Sequence, residues 1–402
     1  MLYITDILQI TKDKRNIIMS EYILKHRNED VLEFNIDKES NNVDYINILD
    51  SKFSPLNTKS SEISKIVSFN SWLIGRSIPD SRDGVERLRK KYNVNNLKDI
   101  MIAKYGLSLS DHYWIERHPF KKKWEDINLF NNRYSEIIGS FIFDRKIKLV
   151  NDINDYFYDP NTSTGGKLRK YWKYDNKNNI NYLVKGGSSI YKQEPFNEYF
   201  ASLLLKELKF KNTEYIIKKY DNNWVSLCKC IADNNIEMIS ANDICRKYGI
   251  ARTYESLINI GESKHCSNFK DDINRMIICD YIIENTDRHW SNFGVLRDSN
   301  TSSWISVIPI FDNGYSLWNN DFVDNSKSSQ SLSFDETNDD CMKLVKINDY
   351  IEKLPDIVDI FEKAFDKYEN KERKDSLRKG IEIKQKEIRN KFEIINYNKN
   401  NW

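Results

Sequence analysis

The residues best able to do chemistry are Asp287, Asn292 and Asp312. Asp287 opens the run Asp287-Arg288-His289-Trp290-Ser291-Asn292, which sets a carboxylate and an amide five positions apart. Asp312 heads Asp312-Asn313-Gly314, beyond a strand–turn–strand pattern: Phe293 to Arg297, a polar turn from Asp298 to Ser303, then Trp304 to Ile310. With the turn centred near residue 300, Asn292 falls opposite Pro309. Asn292 and Asp312 then share the open end of a hairpin, and Asp287 lies in the loop before it. Mg²⁺ takes oxygen ligands, usually only one or two from protein, and leaves the rest to phosphates and water. Two carboxylates and an amide oxygen converging on one point therefore suit phosphoryl transfer. The plainer alternative is a helix end and turn capped by Asp and Asn. It does not call for six constrained positions and a separated Asp-x-Gly.

The protein-kinase template uses an Asp as base, an Asn five residues on for one Mg²⁺, and an Asp-x-Gly carboxylate for the metals. Asp287, Asn292 and Asp312 match it in type and order. The template also needs a cation on the nucleotide phosphates. Lys185, ending Tyr182-Leu183-Val184-Lys185 on an expected strand, is the candidate, and Glu198 in the first turn of the next helix is its expected partner. Glu194 is the rival for that pairing. Backbone N–H groups should cover the phosphates, and Thr162-Ser163-Thr164-Gly165-Gly166-Lys167 is the best loop for this, since Gly lets backbone approach closely. Gly186-Gly187-Ser188-Ser189 is a second such loop. Lys229-Cys230-Ile231 ends the last strand of that lobe, so the backbone of Lys229 and Ile231 is expected to reach the adenine edge. His289 is counted with the nucleotide contacts; orienting Asp287 and packing in its own loop are both open to it.

At these residues the chain resembles a known family. Asn285-Thr286-Asp287-Arg288-His289-x-x-Asn292-x-Gly294, followed by Pro309-Ile310-Phe311-Asp312-Asn313-Gly314-x-Ser316, resembles the HipA-type serine/threonine kinases of bacterial toxin–antitoxin systems. Tyr182-Leu183-Val184-Lys185 and Phe196-Asn197-Glu198-Tyr199 resemble the same family's lysine strand and following helix. The likeness runs from about residue 155 to 345. It implies a two-lobed kinase-like fold, dependence on ATP and Mg²⁺, a protein substrate phosphorylated on a hydroxyl, and often a small DNA-binding antitoxin as partner. By motif position Asp287 would be the base, Asn292 and Asp312 the metal ligands, and Lys185 the phosphate contact. The resemblance also implies autophosphorylation in the Gly-rich loop, with Ser163 the first candidate and Thr162 and Thr164 beside it. A phosphate there adds about −2 charge to a loop meant to close over anionic ATP, which would shut the site. Two departures stand out. Residues 1–150 do not match the family's short N-terminal region, and Asp-Arg-His-x-x-Asn also occurs in phosphoinositide kinases.

The surrounding pattern must position these groups. Residues 155–232 read as strand-rich, interrupted by a helix from Pro195 to Leu208 with Phe196, Phe200, Leu203, Leu204 and Leu208 at helical spacing. After about 235 the chain reads as helical: Ile273, Met276, Ile277 and Tyr281 trace one apolar face, and two amphipathic helices close the sequence. The expectation is an α+β chain in two lobes. Residues 151–235 form a kinase-like N-lobe and 236–402 a helical C-lobe. Residues 1–150 form a small α/β accessory domain packed on the N-lobe, with Tyr113 and Trp114 in that contact.

Composition narrows the classes. The 402 residues carry 62 basic and 60 acidic side chains, net +2, which argues against a chain built to neutralise a nucleic-acid backbone. Aromatics make up 13%, enough for a core. No apolar run reads as a leader over Met1 to Lys12 or as a membrane span elsewhere, so a soluble, cytoplasmic protein is expected, with no direct nucleic-acid or membrane binding. Six scattered cysteines make no disulfide framework. Competing functions are a kinase acting on a lipid headgroup or small molecule, and a nucleotide-binding pseudokinase.

Overall fold

A computed structural model describes residues 20–82, 84–119, 122–144, 158–166, 168–187, 190–220 and 222–400, with side chains described to 391. Lys167, Ser188, Ser189 and the segment Met1 to Lys12 lie outside the described residues.

The N-terminal region is an antiparallel sheet of β1 (Tyr22–His26), β2 (Glu29–Ile36), β3 (Val43–Ile48) and β4 (Tyr113–Arg117), in the order β3-β2-β1-β4. Alternation buries Leu24, Leu32, Phe34 and Ile115 against Phe69 and Leu73 of helix α1 (Glu62–Arg76). Ser61 caps α1 by accepting the N–H of Ser64. Short helices α2 (Val85–Tyr92), α3 (Leu97–Ala103), α4 (Trp124–Ile127) and α5 (Ile137–Phe143) complete the region.

The second sheet holds β5 (Lys170–Asp175), β6 (Ile180–Gly186), β7 (Tyr215–Tyr220) and β8 (Asn223–Lys229), ordered β5-β6-β8-β7. Its register sets Lys170 opposite Lys185. Helix α6 (Glu194–Glu207) starts with Pro195 in its first turn and buries Phe196, Phe200 and Leu204, as the spacing predicts.

The remaining chain packs around helix α9 (Phe269–Ile283), buried along nearly its whole length, with α7 (Ala241–Tyr248), α8 (Tyr254–Ser263), α10 (Asn338–Met342), α11 (Ile357–Ala364) and α12 (Lys371–Asn400). The hairpin is β10 (Gly294–Asp298) and β11 (Trp304–Val307), pairing Val295 with Val307. The structure departs from the sequence reading at Ile236–Ser240. That stretch is a strand, β9, which pairs antiparallel with β10 to make a third sheet rather than opening a helix. Partner choice across the sequence decided this, which local pattern does not encode.

The N-terminal region touches both lobes. Trp114 packs with Trp172 and Leu183 of the second sheet. Tyr113 instead accepts a hydrogen bond from Arg297 of β10 at 3.0 Å. Arg297 also pairs at 2.8 Å with Glu237 of β9, which meets the His26 ring at 3.0 Å as well. The fold is α+β with a strand-rich lobe and a helical lobe, as expected.

Candidate active site

Lys185 lies on β6 with its ammonium buried, and Glu198 is presented one turn into α6. Lys185 Nζ donates to Glu198 Oε1 and to Asp312 Oδ1, both at 2.7 Å, and to the Tyr215 hydroxyl at 3.2 Å. Glu198 Oε2 accepts the backbone N–H of Asn313 at 2.8 Å. One glutamate thus joins the lysine to the Asp-x-Gly segment, and Glu194 does not take that place. Burial works against charge on Lys185, but Asp312 and Glu198 outweigh it and hold the ammonium well above its ordinary pKa. Burial alone would raise the Asp312 carboxyl, and Lys185 followed by Lys170 holds it far below the usual range instead. Asp312 sits in the left-handed region at φ 57°, a conformation Asp tolerates better than most residues. Its N–H donates to the Tyr215 hydroxyl at 3.3 Å.

The loop from Asn285 to Asn292 is built on Arg288, which is buried. Its guanidinium meets the Asp280 carboxylate of α9 at 2.9–3.2 Å. It also donates to the carbonyls of Asn292, at 3.2 Å, and Phe311, and to Asn313 Oδ1 at 2.5 Å. Asn292 and the two neighbours of Asp312, Phe311 and Asn313, are therefore held to a common guanidinium at the end of the hairpin. Asn292 Nδ2 donates to the Asp287 carbonyl at 2.9 Å, and Asp287 N–H to Asn285 Oδ1 at 3.1 Å. Asp287 is half-buried in this loop. Asn197 of α6 ties the next stretch by donating to the carbonyls of Gly314 and Ser316, each at 2.8 Å.

A cleft of about 370 Å³ opens between the lobes. Ser163, Thr164, Gly165, Gly166, His289, Asn292 and Asp312 line it, with Trp172, Leu183, Met238, Ile308 and Phe311 as its apolar wall. Thr162, Lys229 and Ile231 are not among its lining residues. Thr162 is fully buried with its hydroxyl on the Asp159 carbonyl at 2.9 Å. Ser163 donates to the Leu107 carbonyl, and Thr164 to that of Pro160 at 2.8 Å. His289, which lines the cleft, accepts the Ser291 N–H on Nδ1 at 3.3 Å.

Sequence reasoning missed four residues here: Lys170, Tyr215, Asp280 and Arg82. Lys170 is buried beside the Gly-rich loop and lines the cleft. Burial pulls its pKa down to about 8, with Asp312 opposing. Gly166 sits at φ 86°, and a Cβ there would collide with the Lys170 ammonium. An acidic residue on the buried face of the apolar 269–283 helix was the one available signal for Asp280.

Asp312 and Asn292 fit the role of metal ligands. Oδ1 of Asp312 is engaged by Lys185 and Nδ2 of Asn292 by Asp287. The other oxygen of Asp312 and Oδ1 of Asn292 have no partner among the described residues, and both side chains line the cleft. Two hard oxygen donors facing solvent are what a phosphate-bound Mg²⁺ takes from protein.

A strand-rich lobe, a helical lobe and a buried lysine–glutamate pair of the first that meets Asp312 and Asn313 of the second define a protein-kinase-like fold. Among solved structures the chain is similar to HipA of Shewanella oneidensis MR-1, determined as a toxin–antitoxin complex with HipB and its operator DNA. That likeness has a TM-score of 0.59 at 12% identity and covers 90% of this chain and 96% of that one. The chain is also similar to the Helicobacter pylori proinflammatory kinase CtkA, with a TM-score of 0.42 at 19% identity over 54% of this chain and 90% of that one. No family model matches the sequence, and no curated protein matches it. The fold is of the HipA kinase type. Among the described residues no helix is long and apolar enough to cross a membrane.

Proposed function

We propose that this protein is an ATP- and Mg²⁺-dependent serine/threonine protein kinase of HipA type. The observation that carries the reading is the buried Lys185 ammonium held between Glu198 and Asp312, the last of which lines the cleft. ATP supplies the phosphoryl group, and Mg²⁺ supplies charge neutralisation on its phosphates. Asp312 and Asn292 would hold the metal. Lys170 offers a cationic donor to the phosphates, Lys185 would reach them by exchanging its bond to Asp312, and Gly165 and Gly166 let backbone approach them. Trp172, Leu183, Met238 and Ile308 supply apolar surface for a base. Asp287 would accept or align the proton of the acceptor hydroxyl. Catalysis then rests on positioning and electrostatics.

Self-inactivation is part of the proposal. Ser163 and Thr164 line the cleft and Thr162 does not, which favours the first two as acceptors. By analogy with the HipA complex, a small DNA-binding antitoxin is the proposed partner and the cytoplasm the proposed location. Incubation of the purified protein with Mg²⁺-ATP followed by mass spectrometry tests the reading. A phosphosite at Ser163 or Thr164, absent in Asp312→Asn and Asp287→Asn variants that remain folded, is the expected result. Nucleotide binding with no labelling of self or of any protein acceptor would favour a pseudokinase.

A further inference from the structure

Arg82 lies between α1 and α2 in the N-terminal region, yet its Nε and Nη2 are both spent on the Gly-rich loop. Nε donates to the Gly166 carbonyl at 2.9 Å. Nη2 donates to the carbonyls of Gly166 at 2.8 Å, Gly165 at 2.6 Å, and Thr164. The side chain is 3% exposed, and no carboxylate pairs with it among the described residues. Burying a cation without a counter-ion is costly. Here burial pulls the guanidinium down to about 10.

The peptide unit explains what this arrangement does. C=O and N–H point in opposite directions across a planar trans peptide. With the Thr164 and Gly165 carbonyls turned onto Arg82, the N–H groups of Gly165 and Gly166 must point away from it. Both glycines line the cleft and Arg82 does not, so the loop stands between them. Neither N–H donates to a described residue. Successive N–H groups turned to one side make a concavity for anions.

From this we infer that Arg82 is a positioning residue, fixing the outer face of Thr164–Gly166 so that two backbone N–H groups face the cleft and receive nucleotide phosphate. The inference rests on the kinase reading for its ligand, but the clamp itself does not. It also gives the N-terminal region a task in the site. The region holds the phosphate loop from behind, and a phosphate across that loop supplies the negative charge that Arg82 otherwise lacks.

The test uses the full chain with Arg82→Met and Arg82→Lys. Amide hydrogen exchange over Thr162 to Gly166, measured without nucleotide, reports the clamp. Steady-state kinetics and binding of Mg²⁺-ATP report its consequence. Arg82→Met should speed exchange in that segment and raise KM for ATP by about tenfold or more, the range for losing a charge-assisted contact. kcat should change far less. Methylguanidinium in the buffer should restore much of the affinity, which a general loss of packing would not allow. Arg82→Lys, a point charge that cannot span three carbonyls, should fall between, and it carries the test if Arg82→Met does not fold. A wild type that binds ATP beside variants with unchanged exchange and KM overturns the inference alone. A wild type that binds no nucleotide overturns the kinase reading and the phosphate role together.

Discussion

Lys170 and Lys185 stand directly opposite one another on β5 and β6, and among the described residues only Lys185 of the two is paired with carboxylates. Lys185 is locked in the charged state, whereas burial leaves Lys170 with a pKa of about 8. Two effects of opposite sign follow. The folded pKa of Lys170 lies below its ordinary 10.5, so the folded chain binds fewer protons than the unfolded chain between those values, and this group's contribution to stability rises with pH there. Affinity for nucleotide should move the other way, falling as pH climbs through about 8 and Lys170 loses its charge. Lys170→Arg, which stays charged, should remove that alkaline limb. Binding isotherms for Mg²⁺-ATP across the range, beside thermal melts, check both signs. An affinity that is flat above pH 8 in the wild type excludes Lys170 from the phosphates.

Glu198 holds Lys185 with one oxygen and the Asn313 N–H with the other. Glu198→Gln keeps the shape but removes the charge. Asp312 remains beside Lys185, so the ammonium is not left unpaired and the fold should survive with a cost of about 1–2 kcal/mol, below the range for an orphaned buried charge. On the proposed kinase reading kcat/KM should drop by about tenfold or more, because the lysine then leans on Asp312, which would hold the metal. Denaturant melts and kinetics measure the two separately. A loss of stability with no loss of rate would make the pair purely structural.

The Asp287–Asn292 loop was legible because its pattern is local. The spacing of Asp287 and Asn292, and a hairpin whose turn returns the chain to Asp312, can be read from neighbouring residues, and β10 and β11 fall where that pattern puts them. Lys185 and Glu198 were legible as a strand end and a helix start. Arg82, Tyr215 and β9 were not. Each matters only through a contact with chain far away in sequence: Arg82 with Gly166, Tyr215 with Asp312, and Met238 of β9 with Leu296 of β10. The alternation that places Lys170 on a strand does not say which lysine of Lys170 and Lys173 faces the cleft.

Among the described residues Arg288 pairs with one carboxylate where Lys185 pairs with two. Asp280→Asn leaves that buried guanidinium with carbonyls and the Asn313 amide alone. Its cost should exceed that of Glu198→Gln and approach about 3 kcal/mol, the lower end for breaking a buried ion pair. Activity should fall as well, since the same guanidinium holds the Asn292 and Phe311 carbonyls. Equal stability losses for the two variants would show that Arg288 is compensated elsewhere.

Glu237 fastens the N-terminal region to the helical lobe through His26 and Arg297, and His112 donates its backbone N–H to it at 3.2 Å. Burial lowers the His112 pKa, opposed by Glu237, and its Nδ1 has no partner among the described residues. Burial alone would raise the Glu237 carboxyl, but Arg297 and then His26 hold it well below its ordinary range. Both groups have folded pKa values below their unfolded ones, so both contribute stability at high pH that is lost as pH falls. His112 acts first, below its ordinary 6.5, when the unfolded chain takes a proton that the folded chain refuses. Glu237 follows below 4.5. Thermal melts should therefore show Tm falling in two stages on acidification. His112→Phe, placed among Trp124 and Phe130, should flatten the first stage and leave the second. Glu237→Gln should cost about 3–5 kcal/mol at neutral pH by leaving Arg297 unpaired, and should remove the second stage. A wild-type Tm that holds constant from pH 7 to 5 would rule out His112 as the first group to titrate.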